Sequence, residues 1–261
     1  MTFIRNTEYY AEVRKGNIPG ESIVQKFGAK QDIGTTLTPV TTSGFYPTPT
    51  ALTALEIVSD DVNDTFLGTG MRTVRLGATS DINGNFTEQV IEVELNGTTA
   101  VALPNSVWRV YRMKGLTSGT YATSATPSHS SDITLQESGG GAVWHVMGQA
   151  DSFGLGQSEI AVYTIPLGKT GYLLSKKITV EGTKTADVLT FVREQANIVV
   201  APFGAMNVKE LERGLAGTVI ISPKSPLLAI PEGSDVGFMA AANLGTASVS
   251  IDFEIHLVDN I

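Results

Sequence analysis

The chain is predicted to be all-β: two β-sandwich or jelly-roll-like units preceded by an extended N-terminal arm. Three observations predict this. Apolar and polar residues alternate in short runs, the runs are broken about every 8 to 12 residues by Gly, Pro, Asn or Ser, and only one short stretch carries helical signals. The alternation is clearest within residues 63–103. There Val74, Leu76 and Ala78, and again Ile91, Val93 and Leu95, fall at every second position, with Arg75, Gly77, Glu92 and Glu94 between them. That is the pattern of strands with one buried face. Asn83-Gly84 and Asn96-Gly97 supply the positive φ angles of tight hairpin turns.

Residues 1–50 are polar and punctuated by Gly and Pro, with isolated apolar anchors such as Ile23, Val24 and Phe27. They read as an extended arm rather than a domain. The arm holds many aromatics for a disordered tail, and Phe3, Tyr9, Tyr10, Phe27 and Phe45 are the residues expected to dock on a partner. Residues 51–157 read as a first β unit, with strands near 55–59, 71–79, 87–95, 99–103, 106–113, 132–136 and 142–148. A polar Ser/Thr-rich loop spans 117–132. Residues 158–261 read as a second, jelly-roll-like unit, with strands near 160–165, 171–180, 185–193, 197–201, 217–222, 226–230, 235–242 and 247–258. The exception is NVKELER at 207–213. Asn207 as N-cap with Glu210 three residues on forms a capping box, which predicts a short helix across one end of the sandwich.

Composition narrows the function classes. The net charge of -8, with Lys and Arg scattered, argues against a nucleic-acid groove, which needs clustered cations. Charged residues make up 17% of the chain, below the usual value of about 25%, which suits a surface largely covered by neighbours. Cysteine is absent, so disulfides and thiolate metal sites are excluded. The opening residues carry no apolar core of a secretion signal, and no run approaches the roughly 18 apolar residues of a membrane span. No membrane partner is expected.

Each look-alike for catalytic or cofactor chemistry lacks a required part. Gly168-Lys169-Thr170 copies the end of a phosphate loop, yet Tyr163 stands where its first glycine is needed. Gly68-Thr69-Gly70 and Gly154-Leu155-Gly156 lack the third glycine of a dinucleotide fingerprint and precede strands. Asp81, Asn83, Asn85 and Glu92 follow a Ca²⁺-loop spacing, but Phe86 replaces the glycine of its sharp turn. Asp60, Asp61 and Asp64 gather oxygens, and turn capping accounts for them. His129, His145 and His256 are dispersed and read as packed strand residues rather than bases. Trp108, Tyr111 and Trp144 would make a sugar-stacking platform if exposed, and core or interface packing accounts for them better. No catalytic residue, cofactor or metal is expected.

Several stretches together resemble a group of tailed-phage virion structural proteins. They are NDTFLGTGMRTVRL (63–76), TEQVIEVELNGTTAVAL (87–103), GQSEIAVYTIPLGKTGYLL (156–174), ADVLTFVRE (186–194) and SPLLAIPEGSDVGFMA (225–240). The similarity runs from roughly residue 50 to the end, and the arm lies outside it. The resemblance implies a β-sandwich structural component without catalysis, acting as an oligomer in the virion after synthesis in the host cytoplasm. A capsid decoration, cement or other head accessory protein is the expected role, with a homotrimer docked on the major capsid protein. A tail-fibre or spike module that recognises or degrades host glycan is the rival expectation.

Overall fold

The computed structural model describes residues 9–49, 51–81, 86–123, 128–149, 156–196, 198, 200–222, 226 and 228–260. In chain order the elements are helix α1 (Tyr9–Arg14) and strands β1 (Glu21–Ile33), β2 (Thr38–Pro39), β3 (Leu55–Ser59), β4 (Met71–Asp81), β5 (Phe86–Glu94), β6 (Val101–Ala102), β7 (Arg109–Ser118), β8 (Ile133–Glu137) and β9 (Val143–Met147). They continue with β10 (Val162–Thr164), β11 (Lys169–Val180), β12 (Ala186–Arg193), β13 (Met206–Leu215), β14 (Gly217–Ile221), β15 (Leu228–Ile230), β16 (Asp235–Ala242) and β17 (Ala247–Asp259). The all-β expectation holds.

Two large hydrophobic cores organise these strands, beside a small cluster of Ile160, Val162, Leu189 and Phe191. In the first, the sheet β6-β3-β8-β9 and the sheet β5-β4-β7 close over Leu55, Ile57, Val74, Leu76, Met113, Leu135 and Trp144. Val74, Leu76 and Ala78 point inward from β4 and Arg75 and Gly77 outward, as the alternation requires. β4 and β5 form a hairpin in register from Thr73↔Glu94 to Asp81↔Phe86; its Asn83-Gly84 turn lies outside the described residues. Asn96-Gly97 does turn the chain, with Gly97 at φ 59°.

The second core lies between the sheets β1-β17-β11-β14 and β10-β16-β12-β13. Phe238, Phe253, Tyr163 and Ile251 sit at its centre. Here the structure corrects the arm. β1 pairs with β17 along nearly its whole length, from Glu21↔Val258 to Ile33↔Ala247, and β2 pairs with β16. Ile33 and Val40 belong to the second core. Residues 21–41 are therefore part of the second sandwich, because the apolar face of β17 needs a neighbour and β1 presents the matching backbone edge. Gly28 makes the crossing close: a Cβ there would lie 2.0 Å from the Ala161 nitrogen.

The predicted helix at 207–213 is also corrected, since these residues belong to β13, which pairs with β12. Glu210 and Glu212 both reach the buried Lys176 ammonium. Residues two apart share a face on a strand and not on a helix, so the cation held between the sheets overrides the capping box. Of the strand expected at 197–201, residues 198, 200 and 201 lie in no strand, and 197 and 199 lie outside the described residues.

Candidate functional site

Of the five aromatics expected to dock on a partner, Phe3 lies outside the described residues. The structure brings Tyr9 and Tyr10 together. α1 lays them at the end of β17, ring centroids 5.3 Å apart, with both rings edge-on to His256. The Tyr9 hydroxyl donates to Glu21 Oε2, and His256 Nε2 lies 2.7 Å from the same oxygen. Burial, with the Glu21 carboxylate beside it, raises the Tyr9 pKa to about 12. Phe27 is half-buried in β1, and Phe45 is exposed. Tyr46, next to it, is tied inward: its hydroxyl meets Thr164 Oγ1 and Asp235 Oδ1, each at 3.2 Å. Tyr9 thus serves the chain's own packing, whereas Tyr10 and Phe45 stay exposed.

The two units are joined by buried polar contacts that single-strand patterning does not reveal. Arg109 of β7, 2% exposed, spans into the second unit. Its guanidinium donates to the Ala196 carbonyl at 3.0 Å and to Asp235 Oδ2 at 3.4 Å, and Thr164 donates to Asp235 Oδ1 at 2.6 Å. Lys26 of β1 donates to the Tyr111 carbonyl of β7. Burial holds its pKa well below the usual lysine value, and the Arg112 charge acts in the same direction. At the other side of the second sandwich, the Lys176 ammonium is fully enclosed and donates to Thr190, Glu210 and Glu212.

The residues weighed for chemistry have structural partners. Asp64, buried, accepts from Ser59 Oγ and from the amides of Met71, Ser130 and Ser131 at 2.7 to 3.2 Å, so it anchors a loop. The Gly168 amide is taken by the Glu232 carboxylate at 2.5 Å, and Lys169 pairs with Asp259. An anion already caps that turn. His145 is buried with Nε2 2.6 Å from the Val110 carbonyl, and burial pushes its pKa down to about 3. His129 is buried too, with Nδ1 2.7 Å from the Ser131 carbonyl. Trp144 lies in the first core and Tyr111 packs edge-on against Tyr163 at 5.3 Å, so no shared aromatic platform forms with Trp108. Asn83 and Asn85 lie outside the described residues. No helix among them is long and apolar enough to cross a membrane.

Two open sheet edges of the second sandwich come together. β13 ends one sheet of the second sandwich and β14 ends the other. Because the two strands are consecutive, both open edges lie on the same side. Around them Val208 is 54%, Ile220 69%, Val200 72% and Phe203 53% exposed, with Met206 and Leu211 also exposed. An exposed edge strand with apolar side chains is a template for pairing with another chain. β14 was legible as the strand near 217–222, whereas β13 was obscured by the capping-box reading at 207–213.

No protein-family model matches the chain, and no curated protein matches it in sequence. Solved structures with some similarity include the cysteine protease and lectin-like domains of Cwp84, a surface-layer-associated protein of Clostridium difficile. That alignment has 9% identity and a TM-score of 0.20, covering 76% of this chain and 52% of that one. The chain thus spans about half the length of that neighbour. Structures of infectious bursal disease virus align as well. For the Gx strain identity is 7% and the TM-score 0.22, covering 91% of this chain and 75% of that one. For the Gt strain the values are 8%, 0.22, 96% and 82%. Likeness at this level carries no functional argument.

Proposed function

We infer that this chain is a structural subunit of a tailed-phage particle, a capsid decoration or other head accessory protein that binds copies of itself and the major capsid protein. It acts by adhesion, without catalysis or cofactor. The observation that carries this reading is the pair of open edges, β13 and β14, rimmed by Val208, Ile220 and Phe203. Burying each such side chain contributes on the order of 2 kcal/mol, and strand pairing adds direction. A subunit that binds the assembled lattice and not the separated shell proteins stabilises the shell by mass action. The phage-like sequence stretches described above supply the particle.

Light scattering on the purified chain tests the first half. The expected result is an oligomer, a trimer in the first instance, and Val208→Glu with Ile220→Glu is expected to give a monomer with unchanged melting. A wild-type mass of 27.6 kDa at micromolar concentration would refute self-association. Absence of the chain from purified particles of the phage that encodes it would refute the virion role.

A further inference from the structure

Between the two sandwiches lies a cleft of about 700 Å³. One wall is the outward face of β4, β5 and β7, and the other is β1 from Ile23 to Phe27. β1 is the edge strand of its sheet, so its far side faces this cleft. Two groups occupy part of that edge: Arg112 Nη2 donates to the Gln25 carbonyl at 2.5 Å, and the Ile160 amide donates to the Phe27 carbonyl at 2.9 Å. Both acceptors are on odd-numbered residues, and strand alternation turns Ile23 the same way. Among the described residues, the Ile23 amide and carbonyl and the Gln25 amide have no backbone partner. They are the donors and acceptor that a further strand would use.

The cleft's charge is one-sided. Arg75, Arg112 and Lys114 line it, against the single lining carboxylate of Glu88. Glu88 is already engaged by the Tyr163 hydroxyl at 2.5 Å. Arg75 shares its charge with Glu92 at 2.6 Å, whereas Lys114 has no carboxylate within ion-pair distance among the described residues. Beside these cations Val90 is 66% exposed. The floor is open because Gly77 carries no side chain; a Cβ there would meet the Tyr111 ring at 2.6 Å.

We propose that this cleft receives an extended, acidic segment of a partner protein, which adds as a strand to β1 at Ile23–Gln25 and sets its carboxylates against Lys114 and Arg75. Main-chain hydrogen bonds to the edge supply affinity, and the cations and Val90 select alternating acidic and apolar side chains. The site is separate from the β13 and β14 edges, so it stands or falls independently of self-association.

The test is fluorescence polarisation of the full chain with a labelled hexapeptide of alternating glutamate and valine. Saturable binding is expected, weakened about tenfold or more by Lys114→Glu and by raising salt. The same peptide N-methylated along one edge is expected to bind about tenfold more weakly or not at all, and amide exchange at Ile23 and Gln25 is expected to slow only with the unmethylated peptide. Lys114 is half-exposed, so unchanged circular dichroism would confirm that its variant folds. Absence of saturation at millimolar peptide overturns the proposal. So does equal binding of the N-methylated peptide or by Lys114→Glu, and so does equally effective binding of a short oligogalacturonate, which would make the cleft an acidic-glycan site.

Discussion

His145 gives the first core a defined weakness to acid. Its ring is enclosed in β9, Nε2 faces the Val110 carbonyl, and Nδ1 has no partner. A carbonyl can only accept, so Nε2 carries a proton, and burial of the unpartnered Nδ1 keeps the ring neutral. Burial holds the pKa at about 3, with the nearby Lys26 acting in the same direction, whereas in the unfolded chain the ring takes a proton at about pH 6.5. Between those values the unfolded state binds more protons than the fold, so stability falls as pH falls, by about 1.4 kcal/mol per pH unit. Going from about pH 6.5 to pH 4.5 therefore removes about 2 to 3 kcal/mol through this residue, and the loss levels off near pH 3. His145→Gln offers an amide donor to Val110 and does not titrate. Urea unfolding followed by tryptophan fluorescence reads the same core, because Trp144 is the adjacent residue and is buried in it. Measured at about pH 7 and pH 4.5, the wild-type chain is expected to lose about 2 to 3 kcal/mol more than the variant. Equal losses would refute the buried neutral ring.

Lys176→Ala leaves Glu210 and Glu212 facing the sandwich without their cation, so the second unit is expected to lose about 3 kcal/mol or more by calorimetry. Lys176→Met combined with Glu210→Gln and Glu212→Gln is expected to recover most of that loss; no recovery would show that the ammonium does not organise β13. Deleting residues 1–45 removes β1, β2 and two residues of the second core, so the second unit is expected to lose protease resistance while the first keeps its tryptophan signal. A truncated chain with both units resistant would contradict the β1–β17 pairing. Gly28→Ala is expected to prevent folding of the second unit, because its methyl group would meet backbone at Ala161; a soluble variant with wild-type melting would show that the crossing has slack.

The alternation in 71–79 and 87–95, with turn residues between, determined the β4–β5 hairpin and the all-β class, since both follow from interactions between near neighbours. Most strands of the second unit were legible for the same reason. The docking aromatics were legible only as aromatics: the sequence marks Tyr9 as a contact residue, and not that its hydroxyl ends on Glu21 of the same chain. The open edge at β13 was hidden, because the local signals at Asn207 and Glu210 favour a helix by about 1 kcal/mol, and only the enclosed Lys176 reverses them. The inward place of residues 21–41 was decided the same way. β1 reads as polar, Gly-interrupted chain until β17, more than two hundred residues later, offers it a ladder; the Glu21–His256 contact spans a separation of 235 residues. Local sequence sets which backbone conformations are cheap, and burial of charge and pairing of sheet edges, which depend on residues distant in the chain, decide where those strands end up.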